Sequence, residues 1–471
     1  MSGLFGSLNS SVNALSAQSR ALEIAGKNLA NVNNPNYARQ RVLIGSLGTI
    51  ITAQGPESMG VTALAIQQMR DGLLDKQVMR ELSLTSSYTS QQQAYQRAEA
   101  ALGQNVDGTQ NSTGASSTSD NGISASVDDF FNAFQSFAAD PTDPGQRQTL
   151  LQKTSIVIDR LQLADQRLAQ VSSDLDSQVN TDVTTTNRLL QTIADLNGQI
   201  SRLEINNPGT AVDLRDQRQA DLEELAAKLP VEVRTTAAGK VQLFAKDGTG
   251  ADVVLVDGST VQGTVAFTGT QITAGASATP LALSSGSIQG TLAARDGGVK
   301  TIRDNLNQLA NQLVTSVNGA YNPTNAAGGN FFNAAGITAA TIALAGTVNT
   351  TTLKASNGGA AGDNTVALAI AQLATQKFTI AGGAAIDGTF GGFLSTAVSN
   401  LGQSVAGATA RATDQTSIEQ LVRSQRDGVS GVSLDEETAN LLKYQRAFQA
   451  SSRVFNTIDS LLDTVVNHLG A

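Results

Sequence analysis

Few residues of this chain are equipped for chemistry. His468 is its one histidine and it has no cysteine. A Cys-His arrangement, an H-E-x-x-H zinc site and all thiol or disulfide chemistry are thereby excluded within it, and His468 falls on the last turn of an expected helix, where a Ser-His-Asp triad is not expected. Gly26-Lys27 and Gly239-Lys240 lack the upstream glycine and the following Ser or Thr of a phosphate-cradling loop, and Gly248-Thr249-Gly250 lacks a third glycine at dinucleotide spacing. Paired carboxylates remain, at Asp435-Glu436-Glu437 and Glu223-Glu224. Acid–base work needs such groups to converge in a pocket. Both sets fall in expected helices, where acidic residues form solvated faces or partner the N-terminal dipole. The reading is of a protein that is not an enzyme, with no catalytic, cofactor or metal residues.

Composition narrows the class further. The 471 residues carry a net charge of −9, which argues against a nucleic-acid partner. Hydrophobic residues make up 40% but aromatics only 4%, so several aliphatic cores are expected, at roughly 100–200 residues per domain. No basic residue precedes Arg20 and no continuous apolar stretch follows Met1. The start therefore does not read as a cleaved secretory signal, and any export takes a route that needs none. No window approaches the ~18 apolar residues of a membrane span, so no membrane insertion is expected. Asn111-Ser112-Thr113 matches a glycosylation sequon in a Ser/Thr-rich loop, as chance allows.

The elements that position residues are mostly helices. Leu8, Leu15, Leu22 and Leu29 stand seven apart, with Val12, Ala25 and Val32 between them, and Asn33-Asn34-Pro35-Asn36 should end that helix. At the other end Leu434, Leu441, Phe448, Phe455, Leu462 and Leu469 repeat the spacing, accompanied by Tyr444, Ile458 and Val465. Ser433 with Glu436 reads as a capping box, and Gly470 as the stop. The residues between these leucines are largely Ser, Asn and Gln. A stripe that narrow is marginal on an isolated helix, so it needs partners: the other terminal helix, a neighbouring subunit, or both. An ordinary intrachain pair is the plain alternative to intersubunit packing, which the polar spacing favours.

Between the termini, residues near 62–102 read as helical and 107–122 as a flexible loop. Asp128 and Asp129 open a short helix whose Phe130, Phe131, Phe134 and Phe137 read as core, closed by Pro141 and Pro144. A long helix runs from Gln146 to about Ile205, with a break expected near Thr184-Thr185-Thr186, and another covers Asp213 to Leu229. Alternation then replaces helical spacing at Val231–Arg234, Val241–Phe244, Val253–Val256 and Gly263–Phe267, with turns at Asp247-Gly248 and Asp257-Gly258. Helices return from Ser287 to Val317, at Thr365 to Thr375, and from Phe393 toward Arg426. The expected fold is mainly α with β-rich insertions: long coiled-coil-like rods formed by both termini, plus small outward β or irregular domains. The expected division is 1–60 with 405–471 as a terminal helical domain; 61–230 with 286–322 and 388–404 as a helical rod; 231–285 as a β-rich insertion; and 323–387 as a Gly/Ala/Thr-rich one.

Two segments carry a resemblance. Ala25 through Gln40 resembles the N-x-A-N-x-N-T-x-G-Y signature of the flagellar rod, hook and hook-associated protein family, with Asn28, Asn31, Asn33 and Tyr37 on its fixed positions and Pro35 taken with them as a signature residue. Asn34 and Asn36 stand where Thr and Gly are usual, and Asn accepts a left-handed backbone, so the turn is expected to survive. Gly431 through Ala450, with Tyr444-Gln445 at its centre, is similar to the junction members of that family in particular. Weaker likeness appears at Asp213–Arg218 and Gly290–Asp296, and little in 231–285 and 321–390.

The resemblance implies an extracellular part of the bacterial flagellum, exported unfolded by the flagellar type III apparatus, that polymerises at the hook tip between hook and filament. Its terminal helices would build an inner tube, with Leu8, Leu15, Leu22, Leu29, Leu434, Leu441, Phe448, Phe455, Leu462 and Leu469 as the assembly interface. Implied partners are further copies of itself, hook protein, a second junction or filament protein, and a cytoplasmic export chaperone on the C-terminal helix. The stripe from Leu441 to Leu462 gives that chaperone a reason, since it would otherwise invite premature association. A hook or rod role, or a secreted adhesin using 231–285 and 323–387, are the alternatives.

Overall fold

The computed structural model describes residues 2–52, 55–102, 122–206, 209–236, 239–359 and 362–467. His468, Leu469, Gly470, the Asn111-Ser112-Thr113 sequon and nearly all of the 107–122 loop lie outside them. The chain forms two compact units, the first from 1–85, 183–286 and 415–471, the second from 86–182 and 287–414. The division falls after Thr85, Asp182, Gly286 and Asp414.

The first unit brings the two ends of the sequence together. Helix α1 (Ser2–Ala30) packs against the C-terminal helix, Leu434–Asn467. Strand β1 (Gln40–Ser46) pairs antiparallel with β4 (Val61–Gln68), and β2 (Thr49–Thr52) with β3 (Gly55–Ser58). These hairpins overturn the helical expectation for residues from 62 onward: helix α2 begins only at Gly72 and runs to Leu102. VTALAIQQ is rich in helix formers, but its register with β1, Gln40 against Gln68, fixes it as a strand.

Helix α3 (Ile123–Ala139) starts well ahead of Asp128, and α4 (Pro144–Leu203) is one continuous 60-residue helix. The break expected near Thr184 does not occur, because Thr186 is itself buried within the packing. Helix α5 (Val212–Lys228) follows a link organised by Glu204. That carboxylate accepts from Ala211 N (3.0 Å) and from Arg215 at 2.9 and 2.6 Å. The Arg215 hydrogen bonds hold its pKa down at about 2, overriding burial.

The β region follows its alternation. Strands β5 (Glu232–Thr235), β6 (Val241–Lys246), β7 (Asp252–Asp257) and β8 (Thr260–Val261) form an antiparallel meander in that order. Strands β9 (Ala266–Phe267), β10 (Ile272–Ala274) and β11 (Thr279–Pro280) form a second sheet. At the Asp247 turn the side chain accepts from Thr249 N and Ala251 N, and the positive φ sits at Gly250, not Gly248. Two asparagines of α4 dock the sheets: Asn187 exchanges two 2.8 Å bonds with the Val265 backbone, and Asn197 donates to Val241 O and Gly258 O.

The second unit holds an aromatic core. Phe130, Phe134 and Phe137 of α3 are fully buried with Phe331, Phe332, Phe390 and Tyr321, their rings 5.0–6.1 Å apart where they touch and several edge to face. Helix α6 (Gly286–Ala294) passes through a five-residue π turn, Arg295–Val299, into α7 (Lys300–Tyr321). One expected helix is thus interrupted where Gly298 meets the Tyr95 ring so closely that a Cβ would stand 2.6 Å from a ring carbon. Asn318 then ties the Gly/Ala-rich segment down, accepting from Phe331 N and Phe332 N and donating to Phe332 O. Helix α8 (Thr365–Gln372) packs on α3. Helix α9 (Phe390–Ser430) leads to the C-terminal helix, α10.

Candidate functional site

The terminal stripes meet in the first unit, but they cover each other only in part. The fully buried face of α1 is made of small residues, Ala17, Ala21 and Ala25, with Ile24 and Asn28. Leu8, Leu15, Leu22 and Leu29 are each half-buried. On α10, Leu462 is buried; Leu441, Tyr444, Phe455 and Ile458 are half-buried; Phe448 and Leu434 are exposed, and so is Gln445. A further set of apolar side chains stands open: Phe5 and Val12 on α1, the latter already part of the first stripe, and Leu442, Val454 and Leu461 on α10, between 44% and 55% exposed. Its sequence signal is the same one, since Phe5 and Val12 stand seven apart, as do Val454 and Leu461.

Where the two helices join, the signature turn builds a buried polar clamp. Asn28 lies on the buried face of α1 at 2% exposure. Its amide donates to Gln40 O (2.8 Å) and Glu437 Oε2 (2.9 Å), and its Oδ1 accepts from Tyr37 OH (2.8 Å) and Gln40 N (3.0 Å). All four hydrogen-bonding positions of that side chain are used. Arg39 grips Glu437 at 2.8 and 2.7 Å and Glu436 at 2.6 Å, while its N–H donates to Ser430 O. Burial opposes the Arg39 charge, but Glu437 and Glu436 outweigh it and raise its pKa. Burial, reinforced by Asp216, Asp213 and Glu437, lifts the Tyr37 phenol above its ordinary value, so it stays a donor.

The acidic residues meet the expectation in part: Asp435, Glu436 and Glu437 do stand in the first turn of α10, but two of the acids are interior. Glu437 is not on a solvated face but 2% exposed beneath Arg39, and Glu223 is 5% exposed beneath Arg426 (2.7 Å) and Arg423 (3.2 Å). Glu436 and Glu224 remain outside, on Arg39 and Arg188. The capping box is half formed: Glu436 N donates to Ser433 Oγ at 3.4 Å, but the Glu436 carboxylate serves Arg39 instead of returning to Ser433. The turn survives its two asparagines by a different device from the one expected. Neither Asn34 nor Asn36 has a positive φ; Asn34 Oδ1 accepts from Asn36 N (3.2 Å), and Asn31 Nδ2 secures Lys27 O (3.0 Å). Asn33 and Pro35 are exposed, and Pro35 O accepts from Arg426 (3.3 Å).

A second layer extends the clamp into the middle of the sequence. Arg70, after β4, donates to Asp75 (3.0 Å), Asp216 (2.7 Å) and Asn36 O (3.3 Å). Gln40 reaches Asp213 at 3.2 Å. Burial raises the pKa of both Asp75 and Asp216, and Arg70 only partly offsets it. Four remote stretches of the chain are thus locked at one place, and the chemistry of that place is immobilisation. The signal for it was a polar amide in register with Ala21, Ile24 and Ala25. An open cleft of about 470 Å³ flanks the clamp, lined by Asn31 to Pro35, Asp427 to Val429 and Gly431 to Ser433, with Tyr37, Arg39 and Glu436.

Comparisons with known proteins follow the same segments. Residues 108–332 match the flagellar hook-associated protein FlgK helical domain, 424–468 the flagellar basal body rod FlgEFG protein C-terminal family, and 8–37 the flagella basal body rod protein family. Flagellar hook-associated protein 1 of Bacillus subtilis is 25% identical over 523 residues, spanning 100% of this chain and 99% of its own. Flagellar hook-associated protein 1 of Salmonella typhimurium is 24% identical over 568 residues, 98% of this chain and 99% of that one. The solved flagellar hook junction protein FlgK from Burkholderia pseudomallei aligns over 55% of this chain and 46% of its own, at 22% identity and a TM-score of 0.45.

Proposed function

The chain belongs to the flagellar hook-associated protein 1 family, and from that premise we propose that it is a structural, axial component of the bacterial flagellum that polymerises at the hook tip and joins hook to filament. One observation supports this reading best: α1 and α10 pack on each other yet leave Phe5, Val12, Leu442, Val454 and Leu461 exposed. Covering such side chains yields about 1 kcal/mol or more each, a gain that a lone subunit leaves unused. Neighbouring copies presenting the same helices would collect it, with the Asn28–Arg39–Glu437 clamp holding α10 at a fixed angle to the turn. The finer elements of the reading are the export route through the flagellar type III apparatus, a chaperone on α10, hook and filament-side partners, the heptad residues as the assembly surface, and the outward placement of 231–285 and 323–387.

Leu22 and Leu441 serve the intrachain pair as well, so the cleaner test uses exposed positions. In cells carrying Val454→Asp or Leu461→Asp, hooks should be complete but bare, with filament protein shed to the medium, while the purified monomer keeps its circular dichroism. Normal filaments on such cells would overturn the proposal. Absent or stunted hooks would instead favour a hook or rod role.

A further inference from the structure

Behind the signature turn lies a small void lined by Pro35, Asn36, Tyr37, Ala38, Arg70, Asp75, Glu223, Arg426, Asp427 and Ser430, with room for about one water-sized sphere, near 10 Å³. Three residues on its wall each carry a buried polar atom with no hydrogen-bond partner among the described residues: Arg70 Nε, Asp75 Oδ1 and Ser430 Oγ. Asp75 and Ser430 are 6% and 7% exposed. Each orphan would cost about 1–3 kcal/mol if left unpaired, far more than a protein tolerates three times over in one spot.

The chemistry of the three atoms selects the ligand. Arg70 Nε only donates, the Asp75 carboxylate only accepts, and the Ser430 hydroxyl does either. A monatomic cation would be repelled by the Arg70 N–H, and an anion by the Asp75 carboxylate. Only a small molecule that both accepts and donates satisfies all three. We infer that a single ordered water occupies this void as an integral part of the fold, accepting from Arg70 Nε, donating to Asp75 Oδ1 and bonding Ser430 Oγ. It would join the end of α9 to the start of α2 through the segment after β4, beneath the turn that Arg39 closes from the other side. Three bonds is the usual complement of a buried water. This inference stands apart from the flagellar reading and does not depend on it.

A crystal structure of the full chain at about 2 Å or better tests it directly. A single density peak within hydrogen-bond distance of all three atoms is the expected result. A dry void, or Ser430 and Arg70 turned onto protein partners that close it, overturns the inference. Water-oxygen relaxation dispersion on the monomer gives a second readout. Ser430→Val places a methyl in the void and should remove one long-lived water per molecule, whereas Ser430→Ala, which keeps two of the three partners, should retain it. An unchanged count in a folded Ser430→Val protein would also sink the idea.

Discussion

Helix α3 and the α1–α10 pair carry apolar stripes of the same helical spacing and meet opposite fates. Phe130, Phe134 and Phe137 are completely buried in the core of their own unit, whereas Leu8, Leu15, Leu22 and Leu29 are only partly buried and Phe5, Val12, Val454 and Leu461 leave about half of their surface in water. Periodicity reports that a helix has an apolar face. Whether the same chain can cover it depends on what else the chain supplies. The second unit supplies Phe331, Phe332, Tyr321 and Phe390 from elsewhere, while the terminal helices have each other, a face of alanines and, on α1, the β1–β4 pair. One region is finished within the subunit; the other is left open.

That contrast can be broken by substitution. The largest loss is expected for Phe134→Ala, about 4 kcal/mol in the second unit, because a closed aromatic core cannot collapse around the cavity. Thermal or denaturant unfolding checks it, and a loss under about 1 kcal/mol would mean the core is looser than drawn. Asn28→Ala comes next, at about 3 kcal/mol, since it strands Gln40 N–H and C=O, the Tyr37 hydroxyl and one Glu437 oxygen together. Amide exchange should show α10 opening before the aromatic core does.

Acid should act through Glu204 with a smaller amplitude. Its folded pKa of about 2 lies below its ordinary 4.5, so its stabilisation is complete above the ordinary value and lost as pH falls toward 2. With solvent screening the contribution is about 1 kcal/mol at most, and the stability gap between wild type and Glu204→Gln should close over that window. Asp75 and Asp216 are shifted the other way, so their contribution grows as pH falls, and Asp75→Asn should flatten that rise. The smallest effect on the monomer is expected for Val454→Asp, within about 0.5 kcal/mol, since half of that side chain already faces water. A large loss there would show that α10 covers it within the subunit after all.

Much of this was legible from the residues. The terminal helices, the long α4, the first three strands of the meander, from Glu232 to Asp257, and the phenylalanine core each announce themselves by period and turn chemistry. The hairpins at 40–68 do not, because β4 buries neither face cleanly and so shows no alternation. The clamp is hidden more deeply. Glu437 and Glu223 look like surface acids in their own helices, and only Arg39 and Arg426, brought from far along the chain, make them interior. Asn34 and Asn36 were expected to rescue the turn by backbone tolerance, whereas one side-chain oxygen does it.

The bond from Asn28 to Glu437 spans 409 residues of sequence. A nascent or truncated chain that ends before α10 cannot complete that amide's shell, however well its first helix has formed. Three of its four bonds are local, to Gln40 and Tyr37, and the fourth is a long-range closure of the sort that slows folding. The same asparagine thereby couples the order of the signature turn to the docking of α10.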